Sequence, residues 1–116
     1  MILLAKRGDQ VSRDLLIDDS SRLSIHLVAA DDGFKWKITQ SKIVEEANIK
    51  KWKGVGKAFV FKLGDNNPDI KEKLNQFLRS AGLEGDARTR FDERMVNVRD
   101  LALEKWGIRH SFKERK

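Results

Sequence analysis

The chain has no cysteine among its 116 residues. That absence removes disulfides, thiolate zinc sites and a cysteine nucleophile together, and it fits a reducing interior. Proline occurs once, at Pro68, so no proline-rich linker divides the chain. No apolar run approaches the length of about 18 residues that a spanning helix needs. The N-terminal run Met1–Ala5 ends at Lys6-Arg7, with the charges after the apolar residues, the reverse of a secretory signal. These features predict a soluble, cytoplasmic protein with no membrane contact.

Catalytic spacings are equally scarce. The two histidines, His26 and His110, stand in no metal or triad spacing. Asp18-Asp19 and Asp31-Asp32 read as turn residues. Gly54-Val55-Gly56-Lys57 lacks the four-residue spacer of a phosphate-cradling loop, and no Ser or Thr follows its lysine. Glu72 and Lys73 are adjacent, whereas a nuclease-like carboxylate–x–lysine would place both groups on one side of a strand. The expectation is a non-enzymatic protein with no catalytic residues, no metal and no cofactor. A divalent-metal nuclease is the least favoured alternative.

What is present is charge. Charged residues make up 36% of the chain, against a usual quarter or so. Six Phe and three Trp, with many Leu, Ile and Val, still suffice for one modest core. The net charge is +6. Residues 35–62 carry eight lysines and two acids, so this stretch alone equals the whole excess. At its centre lies Ile49-Lys50-Lys51-Trp52-Lys53-Gly54-Val55-Gly56-Lys57, an aromatic ring among ammonium groups followed by two glycines. Concentrated positive charge with an interleaved aromatic is the footprint of a polyanion-binding surface.

Periodicity divides the chain into a strand-rich front and a helical back. Residues 2–6 and Asp14–Asp18 are candidate strands. Leu23, Ile25 and Leu27 alternate with Ser24, His26 and Val28, and after Asp31-Asp32-Gly33 the residues Phe34, Trp36 and Ile38 alternate with Lys35, Lys37 and Thr39. Period-two patterning on both sides of an Asp-Gly turn predicts a hairpin. If Phe34, Trp36 and Ile38 face the core, Lys35 and Lys37 project from the other face.

Ser41–Trp52 has no clear period; Ile43, Val44 and Ala47 suit a short helix and the lysines after them a loop. Lys57–Leu63 reads as a strand. Asn67-Pro68-Asp69 then opens a helix whose stripe is Ile70, Leu74, Phe77, Leu78 and Ala81, closed by Gly82. A second helix is predicted over Asp86–Trp106, with Gly107 ending it. The predicted fold is therefore α+β: one domain over 1–107 with about four or five antiparallel strands packed by two C-terminal helices, then a basic, fraying tail over 108–116.

Lys50, Lys51, Lys53 and Lys57 are candidate phosphate contacts, and Trp52 a stacking platform. Lys35, Lys37 and Lys62 would add a basic sheet face, such as single strands use. On the second helix Arg88 and Arg90 have acids at i,i+3 or i,i+4, and Arg94, without one, is a further candidate. A strand-rich front, a basic sheet and a following amphipathic helix, over roughly residues 20–82, is broadly similar to the whirly-type single-stranded-DNA-binding proteins. That resemblance implies small dimeric domains that use a sheet surface. The long helix from Asp86 departs from the pattern, and no diagnostic motif accompanies it.

The sequence-based expectation is a small nucleic-acid-binding protein, preferring single-stranded DNA or RNA because no duplex-reading module is visible. A homodimer is compatible with it. The rival expectation is a small inhibitor or adaptor that docks on an acidic protein surface.

Overall fold

Alternation in the front half becomes a four-stranded antiparallel sheet in the computed structural model, which describes residues 5–31 and 33–107. The strands are β1 (Gln10–Asp18), β2 (Ser21–Ala30), β3 (Gly33–Glu46) and β4 (Ile49–Lys62), joined as a meander in the order β1-β2-β3-β4. Two helices follow, α1 (Pro68–Ser80) and α2 (Asp86–Trp106). The architecture is the expected α+β arrangement.

Ala30 pairs with Gly33, so the Asp-Gly hairpin forms where its alternation placed it. Leu23, Ile25, Leu27, Trp36 and Ile38 are buried on one face, joined by Leu15 from β1. The helices close over that face alone. Phe91, Val98, Ala102 and Trp106 of α2 are buried, as is Leu78 of α1. Phe59 of β4 meets Phe77 of α1 at 5.6 Å between ring centroids, and Phe34 of β3 stacks on Trp106 at 5.5 Å.

The helix ends follow local chemistry. The Asn67 side chain accepts from the Asp69 N–H at 2.9 Å, with Pro68 in the first turn. At the other end Gly82, at φ 92°, lets the Leu83 N–H donate to the Leu78 carbonyl and the Gly82 N–H to the Arg79 carbonyl. This paired closure satisfies two terminal carbonyls and turns Leu83 into the core.

The structure corrects two expectations. Ser41–Trp52 holds no helix and no loop: β3 runs on to Glu46, and β4 begins at Ile49. Glu46 pairs with Ile49 across a two-residue turn in which Ala47 (φ 53°) and Asn48 (φ 66°) are both left-handed, the geometry that matches strand twist in a hairpin. β1 starts at Gln10, four residues before the expected Asp14. The candidate strand over 2–6 lies mainly outside the described residues, and Ala5 and Lys6 belong to no strand. The tail over 108–116, with His110, also lies outside them.

One irregularity shapes the sheet. Ile38 pairs with Phe59 but Gln40 pairs with Val55, so residues 56–58 bulge opposite Thr39. Gly56, at φ 68°, supplies the left-handed residue the bulge requires. Because the offset is two residues, side chains keep their faces on both sides of it.

Candidate nucleic-acid interface

The face of the sheet away from the helices can be read in rows of cross-strand partners. The first is Gln10, Val28, Lys35, Lys62; the second Ser12, His26, Lys37, Val60; the third Asp14, Ser24, Thr39. Beyond them come Leu16, Arg22, Ser41, Gly54, then Ile43 with Trp52, then Glu45 with Lys50. Alternation along each strand puts all these side chains on one side. Lysines 35, 37, 50 and 62 therefore share a face with Trp52, spread along the β3–β4 ribbon. From Lys37 to Ile43, the partner of Trp52, the strand advances about 20 Å.

The remaining candidates go elsewhere. Lys51 pairs with Val44 and Lys53 with Lys42, which puts them on the reverse face. Lys51 is also ion-paired with Glu46 at 2.8 Å. Lys57 lies exposed in the bulge. Arg94 approaches from α2, and its Nε donates to the Asp14 carbonyl at 3.0 Å. There it satisfies a backbone acceptor of the outer strand β1, and it does not join the lysines. Arg88 pairs with Asp92 at 3.3 Å, as its spacing predicted.

Trp52 is partly buried, and its cover is a cation. The Arg22 guanidinium lies 4.4 Å from the centre of the indole, within the range of cation–π attraction. Asp14 holds the same guanidinium at 3.4 Å. Gly54 contributes no side chain to the row between Arg22 and Trp52. The Arg22 Nε is buried without a hydrogen-bond partner. An unsatisfied buried donor costs about 1–3 kcal/mol, which offsets part of what the cation–π contact and the Asp14 pair contribute.

Arg22 was not singled out from sequence, although a signal existed. Counting outward from the Asp-Gly turn in hairpin register places Arg22 opposite Ser41, and the β3–β4 pairing, which the sequence hides, sets it one row from Trp52. The same count places Lys42, also passed over, opposite Ser21.

At the other end of the face, Lys35 and Lys62 stand directly opposite one another. With Val60, Phe61, Asp65 and Ile70 they line an open recess of about 280 Å³. Val60, between Lys37 and Lys62 in this cluster, is 50% exposed. His26 faces Lys37 across the strands, and its Nδ1 is 2.6 Å from the Ser12 hydroxyl. Burial, then the Lys37 ammonium, hold the imidazole below its ordinary pKa, against a smaller opposing pull from Asp14.

On the helix side, Phe61, Ile70, Leu74 and Met95 form a cleft of about 370 Å³ whose rim carries Arg88, held by Asn75 at 2.6 Å. Among the described residues no group of three His, Asp or Glu side chains could hold a metal ion, and no helix is long and apolar enough to cross a membrane. No protein family, curated protein or solved structure matches the chain.

Proposed function

We propose that the protein binds single-stranded nucleic acid along the helix-free face of its sheet. One observation carries the reading: Trp52 and lysines 35, 37, 50 and 62 occupy the same side of the β3–β4 ribbon. Phosphates would meet the lysines, each neutralised one releasing counterions. A base would stack on Trp52, and Thr39 and Ser41 offer hydroxyls between the two ends. Arg22 is a second cationic partner there, able to stack on a base or to pair with a phosphate. A flat sheet with one partly exposed ring favours unpaired bases, whose faces are free, over a stacked duplex.

The test is a titration of labelled oligothymidylate and oligouridylate across a salt series, read by anisotropy and by tryptophan emission. Trp36 and Trp106 are 6% and 3% exposed, so a change in emission reports Trp52. Four phosphate contacts predict log affinity falling against log salt with a slope near −3 (about 0.7 per contact for single strands). An affinity indifferent to salt, or no binding at low salt, overturns the proposal. Retention of an acidic protein from nuclease-treated lysate, without oligonucleotide binding, would favour the rival protein-docking role.

A further inference from the structure

β2 reaches no further along β3 than Lys42, which pairs with Ser21; Ile43 donates to the Ser20 carbonyl at 2.9 Å, and beyond that β3 and β4 run alone. On the reverse of this ribbon, Lys42 and Lys53 are direct cross-strand partners. Like charges facing each other across a ladder are unfavourable. Lys51 on the same face has Glu46, but neither Lys42 nor Lys53 has an acidic partner among the described residues. Both are exposed, as are Ile49 at 63% and Val55 at 37% on that face, so the helices do not cover it. Lys53 and Trp52 are successive residues and point to opposite sides of one ribbon.

We infer that the reverse face of the ribbon takes a second segment of polynucleotide, so that one molecule bridges two strands. The inference rests on the front-face reading above. Two opposed ammonium groups bracket a single phosphate, and a bound phosphate would turn the repulsion between Lys42 and Lys53 into a shared attraction. A strand extended along the front face cannot also reach these lysines without doubling back around the β4 edge. A separate strand reaches them directly.

The experiment mixes the full-length protein with donor-labelled and acceptor-labelled oligothymidylates, which cannot pair with each other. Energy transfer reports bridging, anisotropy reports single-strand affinity, and mass measurement in solution reports stoichiometry. Two strands per protein with energy transfer are expected for the wild type. Lys42→Glu/Lys53→Glu should cut bridging about tenfold or more while single-strand affinity changes by less than about threefold. Lys42→Gln/Lys53→Gln, which only neutralises, should show the same pattern more weakly.

Tight one-to-one binding with no energy transfer overturns the bridge alone. So does transfer that survives in the reverse-face variants, since that points to two copies joined with their front faces outward. Equal loss of affinity and of bridging means one continuous site, and overturns it too. Absence of any oligonucleotide binding overturns the front-face reading and the bridge together.

Discussion

The two halves of the β3–β4 hairpin differ in what lies over them. Before the bulge, Phe34, Trp36 and Ile38 face Phe59 and Phe61 and pack beneath the helices. After it, the same face carries Lys42, Lys51, Lys53 and Val55, all exposed, with Gln40 and Val44 only half-buried among them. Strand geometry is continuous across the two halves; apolar content is not. Fourteen residues of β3 advance about 46 Å, close to the molecule's longest dimension of 49 Å. The covered half supplies stability, and the uncovered half presents charge.

Substitutions on the two sides of the bulge should separate those roles. Phe91→Ala removes a ring with no exposure from beneath the covered half. It should cost about 3–5 kcal/mol in denaturant unfolding. Ile49→Ala at the far end of the ribbon should cost less than about 0.5 kcal/mol. Comparable costs at both sites would mean that the ribbon is as integral to the core as the covered sheet, and the contrast would fail.

Next in size is the effect of the indole. Trp52→Ala should weaken oligonucleotide binding by about 1–3 kcal/mol, roughly five- to 150-fold in Kd. Unfolding free energy should change far less, because Trp52 lies outside the buried core. Arg22→Ala should leave folding intact, shift tryptophan emission to the red and raise its quenching by acrylamide, since the guanidinium is the cover on that ring. If emission is unchanged in Arg22→Ala, the cation–π contact is not populated in solution.

The unequal legibility of the two halves in the sequence has the same physical origin. The core strands and both helices announced themselves because burial imposes a period: two in Leu23, Ile25, Leu27 and 3.6 in Phe91, Val98, Ala102. Pro68 and Gly82 marked the ends of α1 through backbone rules alone. Beyond Gln40 neither face is buried, so nothing forced alternation on the residues, and the strand was invisible. The turn was hidden as well. Left-handed hairpin turns favour Asn-Gly, and here Ala47-Asn48 does the work. Of the site, Lys35, Lys37 and Trp52 were readable, since hairpin phase or composition marked them. Arg22 and Lys42 become visible only once cross-strand register is known.

That turn yields a smaller effect. Ala47 holds φ 53°, a conformation that costs an L-residue with a Cβ about 1–2 kcal/mol. Ala47→Gly should relieve part of it, partly offset by the greater freedom of glycine in the unfolded chain. Because the ribbon opens locally, the gain should appear as slower amide exchange at Glu46 and Ile49 and scarcely in global unfolding. Faster exchange at these amides would show that the turn is not populated as described.

The smallest expected effect belongs to the covered half's outer surface, at His26. Its folded pKa lies below the ordinary 6.5 because of burial, then Lys37, with Asp14 opposing. As pH falls through 6.5, the unfolded chain takes up a proton that the folded chain resists, so stability should decline from there toward the imidazole's lower folded pKa. The Asp18 carboxylate, held low chiefly by the Ser20 N–H and then the Ser21 hydroxyl, contributes in the opposite range. Its stabilisation is present above 3.8 and fades as pH falls from there toward its folded value. His26→Gln keeps a polar partner for Ser12 and should flatten the decline, while His110 is common to both proteins and cancels in the difference. A polyanion seated at Lys37 offsets the Lys37 contribution, so binding should draw a proton onto His26, and wild-type affinity should rise as pH is lowered toward the imidazole's folded pKa. If affinity in His26→Gln rises equally, the phosphates do not lie at Lys37, and the basic end of the face is separate from the strand's path.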